Sequence, residues 1–217
     1  MVETLINPSV TLPGGQIIAL DVSAEDYLEQ YAEHHYEWVK GVVVKMAPVS
    51  AKHDDLTGYL RELFRAYFAL HPIGIVRSEP FVLRIETTPS YREPDLQVIL
   101  NDNPGELTDT AMIGPADICI EVVSPGSVAI DHGEKFEEYE AAGVREYWIV
   151  DPLREECRFY RLQESGRYAT FQPDEADTYH TPLLPHFALH VPTLWQSTLP
   201  DFFAVGKLVQ GWFTDET

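Results

Sequence analysis

Two carboxylates sit where the surrounding residues argue for a dry interior: Glu121 within ADICIEVVSPGS and Asp95 within REPDLQVIL. A buried carboxylate is costly unless it is paired, hydrogen-bonded or bound to a metal. Side chains alternate along a strand, so Asp117, Cys119, Glu121 and Val123 share one face of DICIEVV, while Ile118, Ile120 and Val122 share the other. The same rule groups Asp95 with Gln97 in PDLQVIL and leaves Leu96 and Val98 opposite. If the two strands are neighbours, Asp95 and Glu121 converge, and their like charges require a cation. Two strand-borne carboxylates form a hard oxygen donor set suited to Mg²⁺ or Mn²⁺. The plainer alternative leaves Glu121 in solvent on a half-exposed sheet and Asp95 at a turn after Pro94.

The elements that must position these acids are legible as periodicities. Residues 1–20, with Pro8, Pro13, Gly14 and Gly15, show little pattern and predict an irregular arm. SAEDYLEQYAEH predicts a short helix capped by Ser23, and YEWVKGVVVKMAP predicts a hairpin turning at Lys40-Gly41. Leu56, Tyr59, Leu60, Leu63, Phe64, Tyr67 and Phe68 recur at three- and four-residue spacings and predict an amphipathic helix over 51–71. GIVRSEPFVLRI and PDLQVIL predict strands, followed by a loop over 101–115. DHGEKFEEYEAAG predicts a helix with Asp131 as its N-cap and Gly143 as its stop. EYWIVDP, ECRFYRL and GRYATFQ extend the β portion, and the remainder, punctuated by Pro182, Pro185, Pro192 and Pro200, predicts irregular chain. Strands interleaved with helices predict an α/β or α+β fold, a mixed sheet flanked by helices.

A chain of 217 residues suffices for one sizeable core. The expected division is an arm over 1–22, one domain over 23–200 and a C-terminal tail over 201–217. No apolar run approaches about 18 residues, so no membrane span is expected. The start lacks a basic stretch followed by an apolar one, which points to a cytoplasmic address. Cys119 and Cys157 belong to no paired spacing and make a disulfide framework improbable.

The formal charge of −20 repels nucleic acid unless basic residues are gathered locally. Residues 40–92 are such a region: Lys40, Lys45, Lys52, Arg61, Arg65, Arg77, Arg84 and Arg92 outnumber its acids. Arg61, Arg65, Lys52 and Arg92 are the expected phosphate contacts; the alternative is a solvated helix face and strand edges.

REPDLQVIL, ADICIEVVSPGS and DHGEKFEEYEAAGVREYWIVDP, following YEWVKGVVVKMAP and His53, resemble in this chain order the signatures of the Uma family of restriction endonucleases, within the PD-(D/E)XK nuclease superfamily. The resemblance spans about residues 23 to 200. It implies a restriction-endonuclease-like core with additional hairpins and endonucleolytic cleavage of DNA that depends on Mg²⁺ or Mn²⁺. By the same resemblance Asp95 is the PD aspartate and Glu121 the metal-binding acid of the next block. Val123 stands where the superfamily has lysine, and the family pattern offers Lys135 instead. Glu37 matches an early glutamate that completes the metal shell directly or through water, against the alternative of an exposed hairpin acid. His53 is expected to contact a phosphate or position water, or else to be structural. A homodimer, paired through an exposed EYWIVDP edge, rests mainly on the resemblance. The competing reading keeps the fold and drops the chemistry: a catalytically degenerate nuclease domain serving as a protein-interaction module.

Overall fold

In the computed structural model, which describes residues 11–12, 15–34, 36–46 and 48–214, a six-stranded sheet packs one face on a long helix and the other on strands of an eight-stranded sheet, with a separate two-stranded sheet beside them. The chain enters through β1 (Thr11–Leu12) and β2 (Gly15–Ala19), so the expected irregular arm is a strand pair where it is described; residues 1–10 lie outside the described residues. Gly15 permits β2 to pair with the strand of Lys45, because a Cβ there would lie 2.6 Å from the carbonyl oxygen of Lys45. Helix α1 (Ala24–Gln30) starts at Ser23, whose hydroxyl accepts the Asp26 N–H. The hairpin of β3 (Tyr36–Val39) and β4 (Val42–Met46) turns at Lys40 and Gly41, with φ of 49° and 88°. Two successive left-handed residues are what a type I′ turn demands.

Helix α2 (Ala51–Leu70) buries Leu56, Leu60, Leu63, Phe64 and Tyr67 along one face, as its periodicity predicts. Its cap is Ser50, whose hydroxyl accepts the backbone N–H of His53. Ser50→Ala is expected to cost about 1 kcal/mol, read as a lower urea midpoint with an unchanged slope; no change would mean that packing alone holds the first turn.

The run GIVRSEPFVLRI does not stay in one sheet. It parts at Glu79-Pro80 into β5 (Gly74–Ser78) and β6 (Val82–Ile85), which enter different sheets. Next come β7 (Ser90–Arg92), β8 (Leu96–Leu100), β9 (Glu106–Leu107), β10 (Ala111–Ile113) and β11 (Ile118–Val122). A π-helical turn over Ile130–Glu134 leads into α3 (Lys135–Ala142), which ends at Gly143 with φ of 90°. The β portion closes with β12 (Glu146–Asp151), β13 (Glu156–Leu162), β14 (Tyr168–Phe171), β15 (Thr178–His180) and β16 (Ala188–His190). Helix α4 (Phe202–Gly211) follows, and it buries Val205 and Val209 in the core beside α2; the expected irregular remainder therefore contains two strands and a helix.

The six-stranded sheet runs β14-β13-β12-β11-β8-β5, parallel only between β11 and β12. The eight-stranded sheet runs β1-β2-β4-β3-β7-β6-β10-β9. This is a mixed-sheet α+β architecture. One face of the six-stranded sheet, with Val98, Ile118, Ile120 and Trp148, packs on α2. The other, with Cys119, Val123, Tyr147 and Ile149, packs on Tyr139 of α3 and on Leu83 and Ile85 of β6. The expectation of an exposed EYWIVDP edge is overturned: that segment is β12, buried throughout between β11 and β13, and the sheet's edges are β14 and β5. Among the described residues, no helix is long and apolar enough to cross a membrane.

Candidate active site

Strands β8 and β11 are antiparallel neighbours, with Leu96 opposite Ile120 and Gln97 opposite Cys119. That register carries Asp95, one residue before Leu96, to Glu121. Glu121 is 3% exposed and Asp95 7%, which removes the alternative of two solvated acids. The Oδ2 of Asp95 accepts the Val122 N–H at 2.6 Å and lies 3.2 Å from Nε2 of His53. His53 is itself buried in the first turn of α2. Its closeness to Asp95 shows a positioned side chain rather than a free surface histidine.

The Glu121 carboxylate faces α3. Its Oε2 lies 2.8 Å from Nζ of Lys135, and its Oε1 accepts the Tyr139 hydroxyl at 2.8 Å. The Lys135 amine also lies 3.5 Å from Oδ1 of Asp131 and 3.8 Å from Oε1 of Glu37. Burial pulls the Lys135 amine down, but Glu121, Glu37 and Asp131 outweigh it and hold the group well above its usual range. Burial likewise pushes the Glu121 carboxyl well up, against the opposing pull of Lys135. Asp131 does not cap a helix as its position suggests. The helical turns begin earlier, with the N–H groups of Ile130 and Asp131 on the Ser127 carbonyl, so Asp131 points inward from within the π turn.

Glu37, on β3, is turned toward Arg92. Its Oε2 accepts from Arg92 at 2.9 Å and its Oε1 accepts the Glu93 N–H at 3.3 Å. Burial pushes the Glu37 carboxyl up, but Lys135 and Arg92 outweigh this and hold it below its usual range. Arg92 also donates to Glu138 at 2.9 Å, and its side chain is 3% exposed. This overturns the expectation that Arg92 contacts phosphate: carboxylates from β3 and α3 close over it. Lys52 is likewise engaged, donating to the carbonyls of Leu194 and Gln196. Arg61 and Arg65 remain exposed on α2.

These groups line a cavity of about 340 Å³ whose walls carry Glu37, Glu79, Glu93, Asp95, Glu121 and Asp131 beside Lys135 and His53. The negative charge is in excess. Burial, with Glu37 and Glu79 nearby, pushes the Glu93 carboxyl up to about 8, and burial with Asp95 raises Glu79. Oδ1 of Asp131 is buried and makes no hydrogen bond among the described residues. A divalent cation fits this surplus of hard oxygen donors. Among the described residues no three acid, histidine or cysteine side chains are gathered as a metal site; Lys135 rests on Glu121 and Arg92 holds Glu37.

Sequence reasoning missed Asp131, Tyr139, Glu79 and Glu93 as neighbours of the site. The first two carried a signal: Asp131, Lys135 and Tyr139 recur every four residues and so share a helix face. Glu79 and Glu93 flank prolines outside any periodic run and carried none.

A mixed sheet that brings strand acids and a helix lysine to one cavity beneath a long helix defines the restriction-endonuclease-like class of fold. A similar architecture occurs in the crystal structure titled "a putative nuclease belonging to DUF820" from Anabaena variabilis ATCC 29413, with a TM-score of 0.66, 18% sequence identity, and coverage of 79% of this chain and 96% of that one. Residues 24–192 match the model of Uma2, described as "Putative restriction endonuclease", and the chain belongs to that family. Two relatives come from Synechocystis sp. (strain ATCC 27184 / PCC 6803 / Kazusa). Uncharacterized protein slr1290 is 25% identical over 159 residues, 72% of this chain and 82% of its own. Uncharacterized protein sll1609 is 29% identical over 139 residues, 60% of this chain and 75% of its own.

Proposed function

We propose that this protein is a divalent-metal-dependent endonuclease that hydrolyses DNA phosphodiester bonds, with Mg²⁺ or Mn²⁺ held by Asp95 and Glu121. The observation that carries the reading is the meeting of these two buried acids with the Lys135 amine at the wall of an acid-rich cavity. When bound, the ion supplies an acidified water and neutralises charge on the scissile phosphate. Lys135 orients that water or stabilises developing charge from its fixed place on α3. The Val122 N–H and His53 hold Asp95, and the Tyr139 hydroxyl and Lys135 amine hold Glu121, so a bound ion would share Glu121 with Lys135. Glu37 fixes Lys135 and Arg92 through its two oxygens.

The test follows supercoiled plasmid during Mn²⁺ titration with wild type, Glu121→Gln and Asp95→Asn. Nicking by wild type that is lost in both variants, together with calorimetric Mn²⁺ binding that weakens in both, is the expected result. Mn²⁺ should also raise the melting temperature of wild type. Equal Mn²⁺ affinity in wild type and Asp95→Asn, or no nicking at any Mn²⁺ concentration, overturns the assignment and returns the fold to the interaction-module reading.

A further inference from the structure

The arginines of this acidic chain are not distributed alike. Every arginine other than Arg61, Arg65 and Arg77 lies within 4.0 Å of a carboxylate oxygen. Arg61, Arg65 and Arg77 have no such partner among the described residues, and all three line one open groove of about 830 Å³. In a chain with 35 acids against 15 bases, three unmatched guanidinium groups on one surface form a local field opposite to the rest of the molecule.

The groove has a definite construction. One wall is the outer face of α2; the other is β5, the edge strand of the six-stranded sheet. Arg61 bridges them by donating to the Ser78 hydroxyl at 3.2 Å, and the Arg77 guanidinium lies 5.7 Å from the centre of the Phe81 ring. Pro80 lines both this groove and the acidic cavity of Asp95 and Glu121, so the two adjoin at that residue. Asp109 is the one acid in the groove lining.

The next surface along α2 is of opposite character. Beyond Arg61, the adjoining cleft carries Asp54, Asp55 and Glu62. One backbone lying in the groove meets Arg61, Arg65 and Arg77, whereas a second backbone displaced along α2 toward this cleft would meet Asp54, Asp55 and Glu62 beside Lys52, whose amine is bound to backbone carbonyls.

We infer that the groove of Arg61, Arg65 and Arg77 is a track for a single nucleic-acid strand, running along β5 and past Pro80 into the acidic cavity. The arginines neutralise successive phosphates, and the Phe81 ring offers a sequence-tolerant face for a base. The track specifies the substrate of the proposed nuclease as a single strand or an unpaired end, and it rests on that reading only for what happens after the strand is bound.

The experiment is fluorescence anisotropy in EDTA, so that neither metal nor cleavage enters. Fluorescein-labelled oligodeoxythymidylate and its duplex with oligodeoxyadenylate are titrated with wild type, Arg77→Lys, and the triple variant Arg61→Ala/Arg65→Ala/Arg77→Ala over a salt series. The single strand should bind wild type about tenfold more tightly than the duplex, with a log–log salt slope that flattens by about 0.7 for each arginine removed. Arg77→Lys should keep the wild-type slope, and the triple variant, whose changed side chains are exposed, should keep the wild-type melting temperature while losing the preference. Duplex binding as tight as single-strand binding, or a wild-type slope in the folded triple variant, overturns the inference. Displacement of the oligonucleotide by polyglutamate at equal charge concentration would likewise overturn it, by showing a site for acidic polypeptide. Strand binding without cleavage of either the oligodeoxythymidylate or the plasmid under Mn²⁺ sinks the nuclease reading alone; nicking of plasmid without strand preference sinks the track alone.

Discussion

Lys135→Met should lower plasmid nicking by about a hundred- to a thousandfold, the scale of removing one fixed electrostatic group from a reaction centre. Methionine keeps most of the length of the side chain and removes only the ammonium, so packing in the 4%-exposed pocket is largely retained. The charge balance is not. Glu121, Glu37 and Asp131 all lie within 4.0 Å of Nζ, and taking one partner from a buried pair costs about 3–5 kcal/mol. Mn²⁺ should therefore raise the melting temperature of Lys135→Met more than that of wild type, because the ion replaces the lost positive charge among the same carboxylates. Nicking at the wild-type rate in a folded Lys135→Met protein would remove Lys135 from the chemistry and leave it a structural counter-ion. An equal Mn²⁺-induced shift in the two proteins would show that the ion does not sit among these acids.

Arg92→Met should destabilise the fold by about 3–5 kcal/mol. Arg92 is the cation between Glu37 of β3 and Glu138 of α3, at 2.9 Å from each. Its removal leaves both acids buried and opposed, and in a protein of this size each kcal/mol lowers the melting temperature by about 2–4 °C. Converting both acids to glutamine in the Arg92→Met background should recover much of the loss, since neutral amides need no counter-ion. Urea unfolding of the single and triple variants measures both effects. A loss below about 1 kcal/mol in Arg92→Met would place the cluster in the range of solvated surface pairs and contradict its burial.

Both predictions concern residues whose type is plain in the sequence and whose partners are not. Strand alternation alone determined that Glu121 and Asp95 each lie opposite an apolar face. The three- and four-residue spacing of leucines and aromatics determined α2. Lys40-Gly41 determined the hairpin. These are local signals, written in the repeat of the helix or strand itself, and they survive whatever the element later packs against.

What only the tertiary structure decided is adjacency. Periodicity says which face of a strand is apolar but not which strand borders it. EYWIVDP could equally have been an edge, and instead lies between β11 and β13; GIVRSEPFVLRI looks continuous and divides between two sheets. Charged residues behave the same way. Arg92 and Arg61 are indistinguishable as sequence, yet Glu37 arrives from 55 residues away to bury the first, while no carboxylate among the described residues arrives for the second. The energy of an arginine is set by its counter-charge and its distance from water, and both are supplied by chain remote in sequence. For that reason the sequence alone could mark residues 40–92 as basic, but only the fold separates an arginine that seals a core from three that face an open groove.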